Sequence, residues 1–171
     1  MIKGYNHSAV SLGYAENNEV VFGVVYNPFT NETFSAQKGK GAYLNGEKIH
    51  ISPVSKLDEC LITIGTCPYN REKAKEDFYT ILTVFQETAD IRRSGSSALD
   101  ICYVASGKSE GYFERNLKPW DYSAGIIILK EAGGIITNWK NEPLSLTMPS
   151  DVIASNGKIH DYLLKKIQKA L

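Results

Sequence analysis

What the sequence lacks narrows the kinds of protein that it can encode. It has only three cysteines, Cys60, Cys67 and Cys102, and they lack the paired spacing of a zinc site or of a disulfide framework. No apolar run approaches the roughly 18 residues of a membrane-spanning helix. The first ten residues also lack the apolar stretch of a signal peptide. We therefore expect a reduced, cytoplasmic protein with no membrane partner.

The sequence also lacks an excess of charge of either sign. Lysine plus arginine and aspartate plus glutamate both total 19, which gives a formal net charge of zero. Without a basic stripe, no nucleic-acid partner is predicted. The sequence contains no Walker loop, no GxSxG turn and no GxGxxG fingerprint, which argues against a nucleotide-binding domain. What is present is ordinary globular composition over 171 residues, 43% hydrophobic and 22% charged, enough to bury a core.

Hydrophobic periodicity divides the chain into two parts. Residues 1–52 predict the remainder of an N-terminal antiparallel-sheet lobe, with strands at 8–14, 19–26 and 32–36 and a hairpin about Asn45-Gly46. Residues 60–171 predict a C-terminal α/β lobe with a mixed sheet. Its strands are expected at 61–65, 90–92, 111–114, 135–138 and 152–155, and its helices at 71–88, 97–105, 122–132 and 159–169. The first of these helices has an apolar stripe of Phe78, Ile81, Leu82 and Phe85. The predicted fold class is thus α/β.

The segment 111–134 carries the clearest functional signal. A strand ends at Glu114, and Asp121 follows a short basic loop just before a helix that stops at Gly133-Gly134. Open α/β folds bind ligands at such strand-to-helix turns, and a carboxylate there can hold Mg²⁺. The alternative is a helix N-cap, which contributes about 0.5–2 kcal/mol. Lys118 could face a phosphate or form a surface ion pair.

A second candidate segment contains Gly95, Ser96 and Ser97, where a strand gives way to a helix. The free N–H groups and dipole of that helix start could bind an anion, although simple capping explains the same residues. Ser97 and Asp100 have the spacing of a capping box.

Four collinear segments resemble the inositol monophosphatase family. They are PWDYSAGIIILKEAGG (119–134), RRSGSSALDICYVASGKSEGYFE (92–114), NPFTNETFSAQKGKGAYLNGEKIHIS (27–52) and VIASNGKIHDYLL (152–164). The resemblance implies a layered α/β/α/β/α fold and a Mg²⁺-dependent, lithium-sensitive phosphomonoesterase. It also implies that Asp121 holds a Mg²⁺ ion, that Gly95, Ser96 and Ser97 contact the sugar or inositol ring, and that Glu114 accepts hydrogen bonds from ring hydroxyls.

The sequence departs from the family pattern at its start. The family places an acidic helix and an Asp-Pro-Ile/Leu-Asp-Gly-Thr motif before its hairpins, and this chain begins with a segment similar to the one directly after that motif. We therefore expect the C-terminal part of an enzyme, inactive or weakly active in isolation, with an apolar surface exposed on its antiparallel sheet. The alternative is a non-catalytic remnant that binds a phosphate or sugar, or another protein. A homo-oligomer is expected from the resemblance alone. The substrate stays open between inositol monophosphate, fructose bisphosphate and a nucleotide bisphosphate.

Overall fold

The first sheet follows chain order. The computed structural model describes residues 4–170, and in it the first strands pair antiparallel with their neighbours in sequence. Asn17 and Asn18, with φ of 49° and 62°, form the first tight turn, because asparagine tolerates the left-handed region. The predicted antiparallel front is therefore confirmed. Its strands are β1 (Val10–Glu16), β2 (Glu19–Asn27), β3 (Glu32–Gln37), β4 (Gly41–Leu44) and β5 (Glu47–Ile49).

The second sheet is mixed, as predicted. Its strands are β6 (Leu61–Ile64), β7 (Asp90–Arg92), β8 (Gly111–Leu117), β9 (Ile135–Asn138) and β10 (Ser150–Ser155), in the order β7-β6-β8-β10-β9. Strand β6 runs parallel to β7 and β8, and β10 runs antiparallel to β8 and β9. The helices are α1 (Ala74–Phe85), α2 (Ser97–Ala105), α3 (Pro119–Glu131) and α4 (His160–Ala170).

Helices α2 and α3 lie between the two sheets. Strands β1 and β2 pair Gly13 with Gly23, and a Cβ at these positions would lie 2.9 Å from the Ser123 Cβ and 2.7 Å from the Ala124 carbonyl oxygen. Two paired glycines thus let α3 approach the sheet closely. One apolar core joins buried residues of both sheets through these helices. Whether 1–52 and 60–171 behave as separate domains stays a prediction.

Helices α1 and α4 cover the other face of the second sheet. A second apolar cluster joins Val84 of α1 and Leu163 of α4 to Ile62 and Ile153 of the sheet. The layers are therefore sheet, helices, sheet, helices. Within residues 4–170, no helix is both long and apolar enough to cross a membrane.

The outer face of the first sheet exposes apolar side chains. Val10, Leu12 and Tyr14 alternate along β1 and are 63%, 56% and 54% exposed, and Tyr14 pairs with the exposed Phe22 of β2. The predicted exposed apolar surface is present. The self-association that it implies stays a prediction.

Several element boundaries and one helix face differ from prediction: β1 is shifted to Val10–Glu16, β10 begins at Ser150, and α1 ends at Phe85. Strand β8 continues to Leu117, α3 begins at Pro119, and α1 begins only at Ala74 after a short 3₁₀ turn. Of the predicted apolar stripe of α1, only Ile81 packs against the second apolar cluster, whereas Phe78, Leu82 and Phe85 are 61%, 51% and 53% exposed. Helix α1 instead buries Thr80 and Val84. Thr80 tolerates burial because its hydroxyl donates to the Glu76 carbonyl at 3.1 Å.

Candidate functional site

The five residues singled out in the sequence line one cavity of about 680 Å³. The cavity lies at Gly65, directly after β6, at the end of β8, and where α2 and α3 begin. Open α/β sheets bind ligands at this end of their strands. The fold therefore brings together three segments that are separated in sequence. The five residues are Gly95, Ser96, Ser97, Glu114 and Asp121.

Glu114 of β8 is positioned by a neighbour on its own strand and by the residue that follows β6. The Tyr112 hydroxyl, on the same face of β8, donates a hydrogen bond to Glu114 Oε2 at 2.5 Å. Gly65 makes room for the carboxyl group, since a Cβ there would lie 1.9 Å from Glu114 Cδ. Burial raises the pKa of Glu114, while the Tyr112 bond and the positive charge of Arg93 oppose that rise. Sequence patterns alone do not reveal this support.

Asp121 lies in the first turn of α3, inside the helix and not in the loop before it. Its Oδ2 accepts a hydrogen bond from the Lys118 N–H at 2.9 Å, and its own N–H donates to the Lys118 carbonyl at 2.9 Å. The carboxylate thus satisfies a backbone donor at the helix start from the third helical position. The N-cap is Lys118, so the alternative that Asp121 itself is the N-cap was wrong. Asp121 also lines the cavity, so its role as a metal ligand stays a prediction.

The loop before α2 is arranged differently from the predicted capping box. Ser96 precedes the helix and makes no side-chain capping bond. Asp100 does not reach back to a capping serine; its Oδ2 accepts a hydrogen bond from Ser94 Oγ at 2.6 Å. Ser94 Oγ in turn accepts a hydrogen bond from the Ser96 N–H at 3.2 Å. The capping-box prediction was wrong because Gly95, with φ of 95°, turns the chain so that Ser94 meets Asp100.

Several cavity residues were not predicted as functional. Arg93 donates to Thr66 Oγ1 at 3.4 Å, and its positive charge opposes the burial-driven rise in the pKa of Glu114 and of Asp100. Two aromatic side chains at the cavity, Tyr69 and Trp120, are 95% and 70% exposed. The basic pair at 92–93 was visible in the sequence, but nothing in the sequence distinguished Tyr69 from other loop residues.

Arg115 and Lys118 also line the cavity. Arg115 is tied down by Asp77 of α1, with Nη2 2.8 Å from Asp77 Oδ1. Its guanidinium carbon lies 4.5 Å from the centre of the Trp139 ring, a cation–π distance. Arg115 therefore anchors the end of β8 to α1.

The described residues do not by themselves fit a complete Mg²⁺ site. No group of three or more His, Cys, Asp and Glu side chains among residues 4–170 is arranged to hold a metal ion. A protein Mg²⁺ site uses carboxylates, waters and substrate phosphates in near-ideal octahedral geometry. Asp121 alone does not provide this.

Comparisons with family models, curated proteins and solved structures all point to the same family. A model of the inositol monophosphatase family matches residues 2–171. An inositol-1-monophosphatase from Synechocystis is 41% identical over 160 residues, 93% of this chain and 55% of that protein. The Nus factor SuhB of Vibrio cholerae is 42% identical over 139 residues, 81% of this chain and 52% of that protein. A solved IMPase from Thermotoga maritima superposes with a TM-score of 0.84 at 36% identity, over 95% of this chain and 61% of that one. The chain thus spans somewhat more than half the length of these relatives.

Proposed function

Because the chain belongs to the inositol monophosphatase family, we propose that its cavity binds a phosphate monoester of a polyhydroxylated alcohol as part of a Mg²⁺-dependent phosphatase. The observation that carries this proposal is the convergence of Gly95, Ser96, Ser97, Glu114 and Asp121 on one cavity. Their positions in two of the four collinear family segments, 92–114 and 119–134, support the same assignment.

Each side of the cavity has a proposed task. Glu114, fixed by Tyr112, accepts hydrogen bonds from ring hydroxyls. The segment 95–97 contacts the ring through its hydroxyl and backbone N–H groups. An acidic acceptor that is held rigidly favours a substrate with several hydroxyls, because an unpaired buried acceptor is costly. Inositol monophosphate is therefore the preferred candidate, ahead of fructose bisphosphate and a nucleotide bisphosphate.

Asp121 is proposed as one ligand of the Mg²⁺ ion. A site with a single carboxylate holds Mg²⁺ weakly. The described residues offer no complete ligand set. We therefore propose that this chain alone hydrolyses phosphomonoesters slowly or not at all, and that the remaining ligands come from protein outside the described residues.

Phosphate release from inositol monophosphate tests the Asp121 assignment. The chain is assayed with and without Mg²⁺ beside Asp121→Asn, and beside Asp58→Asn, which alters an exposed carboxylate outside the cavity. We expect any Mg²⁺-dependent release to disappear in Asp121→Asn and to persist in Asp58→Asn. Unchanged release in Asp121→Asn contradicts the assignment.

The second candidate is a non-catalytic interaction module. Two observations favour it: the exposed apolar side chains Phe78, Leu82 and Phe85 on α1, and the relatives named Nus factor SuhB. Under this alternative the cavity binds neither inositol monophosphate nor Mg²⁺, and the chain acts through protein contacts. Binding of the phosphate ester therefore separates the two candidates.

A further inference from the structure

Asp100 is a buried acid that none of the proposed functional roles uses. It lies in the first turn of α2 and is 1% exposed. Its Oδ2 accepts the hydrogen bond from Ser94 Oγ, whereas its Oδ1 is buried and has no hydrogen-bond partner among the described residues. A buried carboxylate with one unpaired oxygen is unfavourable. We therefore looked for a structural role of Asp100 in the hydrogen bond that it does make, the one with Ser94.

Asp100 stabilises the loop of residues 94–97, which faces the cavity. Ser94 uses its hydroxyl hydrogen to bond Asp100, and uses a lone pair to accept the Ser96 N–H. Between them Gly95 adopts a φ of 95°, a conformation that side-chain-bearing residues rarely adopt. Gly95, Ser96 and Ser97 line the cavity, but Ser94 and Asp100 do not. The two hydrogen bonds therefore connect the buried acid to the cavity wall.

We propose that Asp100 is a positioning residue that fixes the cavity-facing loop 94–97 through the Ser94 hydroxyl, and that its ionisation state decides how firmly that loop is held. The effect on the loop follows from geometry alone. Its effect on ligand binding rests on the proposed function, in which this loop contacts the ring of the substrate.

The surroundings of Asp100 place its titration near neutral pH. Burial raises the pKa of Asp100 to about 7, the Ser94 hydrogen bond and Arg93 oppose the rise, and the negative charge of Glu114 adds to it. The ionised carboxylate is the stronger acceptor for the Ser94 hydroxyl. The loop is therefore held firmly above the pKa of Asp100 and loosened below it. The titratable groups that sense Asp100 from the elements packed around it are Arg93 on the loop, Tyr112 and Glu114 on β8, and Cys102 and Tyr103 on α2.

Nuclear magnetic resonance of the ligand-free chain tests the loop directly. The carboxyl carbon of Asp100 and the backbone amides of Ser96 and Ser97 are followed from acidic to alkaline pH. We expect all three to titrate in one step with a shared midpoint near pH 7. Glu114→Gln should keep the step and lower its midpoint, because a neighbouring negative charge is removed.

The variant Ser94→Ala removes the hydroxyl group that connects Asp100 to the loop, and it leaves Asp100 itself in place. In this variant we expect the Asp100 carboxyl carbon still to titrate and the amides of Ser96 and Ser97 to lose the step. Asp100→Asn should leave those amides independent of pH. The proposal is wrong if the amides of Ser96 and Ser97 in the unaltered chain show no titration step at the midpoint of Asp100. It is also wrong if these amides keep an unchanged step in Ser94→Ala.

Binding of uncharged myo-inositol extends the test to the proposed site without the titration of a phosphate group. If only the loop held by ionised Asp100 binds the ring, affinity should be up to about tenfold higher at pH 8 than at pH 6. Asp100→Asn should bind equally at both. Equal affinities in the unaltered chain contradict the link to the ligand. Absence of binding at both pH values contradicts the proposed ring site, while the amide titration decides the role of Asp100 by itself.

Discussion

Glu131, near the end of α3, joins this helix to the turn between β3 and β4. Its Oε1 and Oε2 accept hydrogen bonds from the N–H groups of Gly39 and Gly41, each at 2.7 Å. Both glycines have positive φ, 72° and 85°, so the turn presents its two N–H groups to one carboxylate. The Gly39-Lys40-Gly41 segment thus binds an anion, but that anion is a side chain of the same protein.

We expect Glu131→Gln to lower the free energy of unfolding by about 1–3 kcal/mol, because a charge-assisted acceptor is lost and one of the two glycine donors meets an NH₂ group. Urea denaturation measures the change. Glu47→Gln, at an exposed position on β5, is the matched control and should change stability by no more than about 0.5 kcal/mol. Equal urea midpoints for the two variants would show that the hydrogen bonds from Gly39 and Gly41 to Glu131 do not stabilise the fold.

Gly65→Ala should disturb the cavity more than the fold. The new Cβ would lie 1.9 Å from Glu114 Cδ, and the Glu114 side chain can avoid it only by leaving its hydrogen bond with Tyr112. We expect weaker binding of inositol monophosphate with a small loss of stability. The double variant Gly65→Ala/Glu114→Ala should bind no more weakly than Glu114→Ala alone, because both changes act on one carboxyl group. Independent, additive losses would contradict this coupling.

At the scale of elements, α1 packs along a narrow line. Val84 is fully buried against the second sheet, whereas Leu82 is 51% exposed. We expect Val84→Ala to lower the free energy of unfolding by about 1–3 kcal/mol. Leu82→Ala should change it by no more than about 0.5 kcal/mol. Thermal or urea unfolding of the pair checks the orientation of α1, and a larger loss in Leu82→Ala would mean that the helix is rotated.

The elements also show which features can be predicted from sequence and why. Short strands bounded by Asn-Gly or Asn-Pro, such as β2 and the β4–β5 hairpin, were predicted because alternation and turn chemistry are local. The orientation of α1 was not predicted. This helix has more apolar residues than the sheet can cover, and which of them are buried depends on packing with α4, which is distant in sequence. Among the site residues, Glu114 and Asp121 were predicted because they lie in segments that resemble the family and follow its order along the chain. The contact of Glu114 with Gly65 and the Ser94–Asp100 bond arise only in three dimensions.

At the scale of the whole molecule, the outer face of the first sheet is the exposed apolar surface from which we predict self-association. Val10, Leu12, Tyr14 and Phe22 form an exposed apolar surface on two paired strands, the kind of surface that promotes association. We expect the chain to self-associate with rising concentration, and Leu12→Lys to reduce that association. Sedimentation velocity measures both. Thr33→Lys, on the polar part of the same sheet, is the control, and association unaffected by Leu12→Lys would place the contact elsewhere.

The most direct test of the central claim is a calorimetric titration of the chain with inositol monophosphate, with and without Mg²⁺. We expect binding that Mg²⁺ strengthens, that weakens in Glu114→Ala and Asp121→Asn, and that is unchanged in Asp58→Asn. The absence of heat in either condition, together with no shift of the thermal unfolding midpoint, would contradict a phosphate-ester site and leave the interaction module as the better account of this chain.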